Sequence, residues 1–150
     1  MPTTENISLT NLEHKELIRA VTERGKPIRM RVRGFSMSPF IHNGDVLTIA
    51  PFDGRAPHVG EVVAFVQPDS GRLAIHRLIA AQNGAWLARG DNSPEPDGIV
   101  PRENLVGAVT RVERGGHDVY IGLGVEGVLI ALLQRGPARR VSGRTNTQNP

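Results

Sequence analysis

Ser36 lies in Gly34-Phe35-Ser36-Met37-Ser38-Pro39, a polar, turn-rich segment between two runs of alternating apolar character. A hydroxyl leaving the end of a strand can act as a nucleophile if a base takes its proton and donors meet the oxyanion. The base can be sought by elimination. The only lysines are Lys15 and Lys26, both ahead of Ser36, in or just after an expected first helix. No lysine is left for the strands that follow, so any base must be a histidine. His14 falls in that helix, His42 beside a turn, His58 in a Pro-rich loop and His117 after Gly115-Gly116. His76 alone lies inside an apolar strand, Leu73-Ala74-Ile75-His76-Arg77-Leu78-Ile79. A neutral imidazole is a suitable proton acceptor near neutral pH. It usually needs a carboxylate to fix its tautomer, and the loop Gly90-Asp91-Asn92-Ser93-Pro94-Glu95-Pro96-Asp97 offers three. Plainer roles compete throughout: serine as a turn cap, strand histidine as a satisfied core residue, Asp and Asn as Asx turns. His42, Asp45 and His58 have no standard metal-ligand spacing, so neither a metal nor a cofactor is expected.

The elements that must position these residues read as mainly β. Thr10-x-x-Glu13 is a capping box, with Leu9 as a possible staple, opening a helix to about Arg24 that Gly25 and Pro27 end. Strands are expected at 28–33, 45–50, 61–66, 73–80, 86–89, 106–113 and 119–121, with turns at Asn43-Gly44, Asp69-Ser70-Gly71, Asn83-Gly84 and Gly115-Gly116. Short strands at this spacing predict a coiled antiparallel sheet or barrel. Val128, Leu129, Leu132 and Leu133 then follow helical spacing, predicting a closing amphipathic helix over 123–134. One domain is expected over 9–134, with disordered ends at 1–8 and 135–150.

The chain has 150 residues, no cysteine and a formal net charge of +3. The charge is segregated: residues 34–133 hold seven arginines against eleven carboxylates, a net −4, while 134–150 hold four arginines and no acid. With one Trp, one Tyr and four Phe, stacking platforms are scarce, and no nucleic-acid partner is expected. No leader peptide or anchor helix is visible at the amino terminus. The longest apolar run, Val119 to Leu133, is shorter than the ~20 residues that span a bilayer. A location in the cytoplasm or peripheral to a membrane is expected. Residues 123–150 are a candidate membrane contact, although such a helix more commonly packs into a core.

Five motifs in order carry a resemblance: Ser36-Met37-x-Pro39 with Gly44-Asp45; Val59-Gly60-Glu61-Val62-Val63-Ala64-Phe65; Ile75-His76-Arg77-Leu78-Ile79; Arg89-Gly90-Asp91-Asn92 with Asp97; and Val106-Gly107-Ala108-Val109. Over roughly residues 30–113 the chain resembles the type I signal peptidase superfamily, most closely its archaeal and endoplasmic-reticulum branch, which has histidine where most bacterial members have lysine. The resemblance implies a serine endopeptidase that cleaves a leader or precursor peptide. Ser36 would be the nucleophile, His76 the general base and Asp97 the third member of a triad. Asp91 would hold the loop or serve as the alternative acid. Gly34, Phe35, Met37 and Pro39 would bind substrate, with small side chains selected before the cut and the oxyanion held by the Ser36 N–H and a neighbour. Three departures stand out: no amino-terminal anchor, Gly34 where several bacterial members carry a hydroxyl donor, and Phe40 in place of the usual Thr. Two other readings are a self-cleaving repressor-type relative and a catalytically silent peptide-binding module. The first normally needs a lysine base and a DNA-binding domain, neither of which is visible.

Overall fold

The computed structural model describes residues 11–120, 122–124 and 126–135, with side chains described from Glu16 onward except Leu17. Expectations for disorder at 1–8 and beyond Arg135, and for the Thr10 capping box, lie outside the described residues. The elements are α1 (Asn11–Thr22), β1 (Ile28–Arg31), β2 (Val46–Ala50), β3 (Val62–Val66), β4 (Leu73–Gln82), β5 (Ala85–Arg89), β6 (Gly98–Val100), β7 (Leu105–Arg114), β8 (His117–Val119) and α2 (Glu126–Arg135). All strand pairings are antiparallel in one sheet ordered β1-β2-β7-β3-β4-β5-β6, with β8 pairing β7 off this path. The fold is mainly β as expected, in its open form: the sheet is not closed into a barrel.

Alternation along the strands sorts side chains to two cores. Val62, Ala64, Leu73 and Ile75 join Met30, Leu47 and Val112 in one cluster. Val63, Phe65, Ala74 and Leu78 join Ala88, Val100 and Leu105 in the other. This is the period-two signature of a sheet covered on both faces. The Asn83-Gly84 turn joins β4 to β5 with φ of 52° and 79°, as a two-residue hairpin of this composition requires. Asn43-Gly44 behaves differently. It does not join two adjoining strand ends but sits at the neck of a long excursion between β1 and β2.

Helix α2 corrects the expected packing. Its buried residues are Gly127 and Ala131, not the leucines. The cause is a backbone-to-backbone approach: a Cβ on Gly127 would lie 2.6 Å from the Gly60 carbonyl oxygen, and one on Gly60 2.7 Å from Gly127 C. Only the small side of the helix fits there. Val128, Leu129, Leu132 and Leu133 consequently face outward, 46–72 % exposed.

Candidate active site

The Ser36 loop is built from its neck outward. Val32 N–H donates to the Asp45 carbonyl and Gly44 N–H to the Val32 carbonyl, each at 2.8 Å, prolonging the β1–β2 ladder. Asn43 Oδ1 accepts the Gly34 N–H at 2.9 Å, with Gly34 and Gly44 at φ of 99° and 95°, a conformation glycine adopts freely. Asp45, nearly inaccessible, takes both Arg114 hydrogen bonds at 2.8 Å and the His42 N–H at 2.7 Å, while Arg114 also reaches the Phe40 carbonyl. Burial alone would raise the Asp45 pKa; the Arg114 and His42 hydrogen bonds and the Arg114 and His42 charges outweigh it and hold the carboxyl below its ordinary value. Met37 and Ile41 plug the loop into the first core.

The far side of the loop meets β4 and the segment after β5. His76 Nε2 lies 3.2 Å from Ser36 Oγ, and His76 Nδ1 lies 2.6 Å from Asp97 Oδ2. A carboxylate only accepts, so Nδ1 carries the hydrogen, and Nε2 of the neutral ring is left to accept from the Ser36 hydroxyl. The imidazole packs against Phe65 at a centroid distance of 6.1 Å. Asp97 is set by its own N–H, which donates to the Ala88 carbonyl at 2.7 Å, immediately before β6. Glu95, the third carboxylate of this loop, is exposed.

Asp91 faces another partner. Its two oxygens accept Arg77 Nε at 2.8 Å and Nη2 at 2.6 Å, with both side chains sealed from solvent. Arg77 Nη1 donates to the carbonyls of Gly60 and Gly122 at 2.9 and 2.8 Å, and Gln134 Nε2 completes the Asp91 shell. The Phe40 ring lies 5.5 Å from the Arg77 guanidinium, a cation–π contact. Of the two aspartates, Asp97 touches the imidazole and Asp91 ties strand, loop and α2 together. Sequence reasoning missed Arg77; an arginine in an otherwise apolar strand is itself a signal of a buried ion pair.

Three further contacts join the two loops. Asn92 N–H donates to the Ser36 carbonyl at 2.7 Å, Asn92 Nδ2 to the Phe35 carbonyl at 3.1 Å, and Asp91 N–H to Met37 Sδ at 3.3 Å. Gly90 permits this approach, since a Cβ there would lie 2.7 Å from the Ser36 carbonyl oxygen and 3.0 Å from His76 Cδ2. Gly34's N–H is engaged by Asn43, whereas the N–H groups of Ser36 and Met37 donate to no described residue.

A shallow cavity of about 10 Å³ opens beside Ser36, lined by Val32, Arg33, Gly34, Met37, Ile41 and Ile75. Two of the expected substrate-binding residues, Gly34 and Met37, line it. Phe35, 66 % exposed, and Pro39, whose carbonyl faces His42 Nε2 at 3.0 Å, do not. Around the cavity two backbone edges are open among the described residues: β1 pairs only with β2, and β4 before Arg77 has no partner on its β5 side.

No curated protein matches the chain. The Peptidase S24-like family matches residues 4–110, a span that includes Ser36, His76 and Asp97. That match covers more than two thirds of the sequence and agrees with the mainly β architecture, and on it the chain belongs to the Peptidase S24-like family.

Proposed function

We propose that this protein is a serine endopeptidase of signal-peptidase type that cleaves a leader or precursor peptide. The observation that carries the reading is the hydrogen-bonded series Ser36–His76–Asp97, with contacts of 3.2 and 2.6 Å. In the reaction, Ser36 Oγ attacks the scissile carbonyl carbon as His76 Nε2 takes the hydroxyl proton. Asp97 holds the Nδ1–H and stabilises the imidazolium that forms. The carbonyl oxygen, now anionic, is met by the N–H groups of Ser36 and Met37. Collapse of the tetrahedral adduct breaks the C–N bond, and the imidazolium returns its proton to the departing amine. Water, deprotonated by the same histidine, then releases the acyl group from Ser36.

An extended substrate fits the open edges of β1 and β4 by adding its own backbone to them, with side chains alternating toward and away from the protein. The cavity beside Ser36 is small, which supports selection of a small residue before the cut. The histidine in the base position supports kinship with the archaeal and endoplasmic-reticulum branch. Among the described residues no helix is long and apolar enough to cross a membrane.

The test compares wild type with Ser36→Ala on a precursor peptide bearing Ala before the expected cut. Loss of the nucleophile should lower the rate by about six decades, roughly 8 kcal/mol of transition-state stabilisation. Equal rates would refute the peptidase reading. Peptide binding retained by both proteins without cleavage by either would establish the silent binding module instead.

A further inference from the structure

Arg29, Arg31 and Arg33 alternate along β1 and the two residues after it, and the fold uses them differently. Arg29 Nη2 donates to Glu113 Oε1 at 3.2 Å, and Arg31 Nη1 donates to the Gly44 carbonyl at 2.8 Å. Arg33 is exposed and makes no hydrogen bond or ion pair with any described residue. Its neighbour Val32 turns both backbone hydrogen bonds toward Asp45 and Gly44, which leaves Arg33 beside the open edge of β1. Arg33 also lines the cavity next to Ser36, and among the lining residues it alone carries charge. A guanidinium presents its donors in a planar fork that fits a carboxylate bidentately. On a convex flank such a group would be an ordinary solvated cation. On the wall of the proposed cleft it faces whatever peptide lies there.

We infer that Arg33 determines specificity, selecting peptides that carry an aspartate or glutamate within about three residues of the cut. The inference rests on the peptidase reading of Ser36 and names the chemical class of substrate that the same site takes. Arg33 and Ser36 border one small cavity, and an extended peptide advances about 3.3 Å per residue. A guanidinium on that wall therefore meets only side chains close to the scissile bond. The acids that flank this region are engaged elsewhere: Asp45 by Arg114, Asp97 by His76 and Glu113 by Arg29. No described carboxylate competes with the peptide for Arg33. A basic side chain at the same place would meet like charge, so the arginine also rejects. Its contribution is discrimination between peptides, since proton transfer belongs to His76.

A peptide set tests it, with Ala kept before the cut and a single Glu, Gln or Lys placed in turn at each other position within about three residues. Wild type should cleave the best-placed Glu peptide with kcat/KM about fivefold above its Gln counterpart, and the Lys peptide below both. Added salt should narrow the gap. The Glu-to-Gln ratio should fall to about one in Arg33→Gln and persist in Arg33→Lys, while Arg33→Glu should reverse the order in favour of Lys. Each ratio compares two peptides on one protein, so it is insensitive to the amount of folded enzyme. Equal wild-type rates on Glu and Gln peptides at every position would overturn the inference, as would an undiminished ratio in Arg33→Gln. Binding of the same peptides to Ser36→Ala, read by fluorescence anisotropy, separates this outcome from failure of the peptidase reading. Preference for Glu in binding that Arg33→Gln abolishes, without cleavage by wild type, would refute the peptidase and uphold the selection of acids. Neither cleavage nor binding that depends on Arg33 would overturn both.

Discussion

Asp97 and Asp91 have the same side chain, sit six positions apart and do different work. Asp97 accepts from His76 Nδ1, whereas Asp91 is consumed by Arg77. Replacing Asp97 with Asn should therefore spare the fold and remove the orienting acceptor. The expected cost is about four decades in kcat with an unchanged melting temperature, read from peptide-cleavage kinetics and thermal unfolding. Gly90 is the second sensitive position. Its absent Cβ leaves the space by which the Ser36 carbonyl and His76 ring come together, so Gly90→Ala must displace one of them. A misplacement of this kind should lower kcat/KM by roughly a hundredfold while the protein still folds, which the same two measurements distinguish from unfolding. The meeting of Ser36 with His76 was legible in the sequence, because the lack of any lysine after Lys26 left histidine as the only candidate base. The choice between Asp91 and Asp97 was not, because it depends on Arg77 turning inward and claiming one of them.

At the scale of elements, the turns were the most readable feature, since Asn83-Gly84 and Gly115-Gly116 require positive φ and mark the ends of β4 and β7. Strand β6 is not among the expected strands: three residues carry too little alternation to register, and pairing with β5 alone gives them their form. The facing of α2 was also hidden. Its hydrophobic periodicity names a leucine stripe, but orientation is decided by contact with Gly60, far away in the chain. Gly127→Val would push a branched side chain against the Gly60 carbonyl and should cost about 1–3 kcal/mol, measured as a lower urea midpoint. Because α2 carries Gln134 to Asp91, the same variant should also slow cleavage. Unchanged stability would mean that the helix packs elsewhere.

Over the whole molecule, two carboxylates make stability sensitive to acid. Asp45 is held below its ordinary pKa as described above. Glu126 is held low by its own N–H and those of Gly122 and Gly124. Both are more acidic folded than unfolded, so their contribution is complete above the unfolded value of about 4 and fades as pH falls through the folded values. Urea midpoints should stay level near neutrality and drop in the acid range. Asp45→Asn should remove part of that drop and lower stability at neutral pH by about 1–3 kcal/mol, since Arg114 loses its charged partner. An acid profile identical to wild type would show that Asp45 is not the group responsible. Mainly β architecture and segregated charge were both legible from composition and alternation; the open edge of the sheet was not, because alternation does not say which strands remain unpartnered. Finally, His76 and Arg77 are neighbours on an extended strand and so look to opposite sides of it. A population of random variants should split sharply between these two adjacent codons: changes at the first yield abundant, inert protein, and changes at the second yield little protein at all.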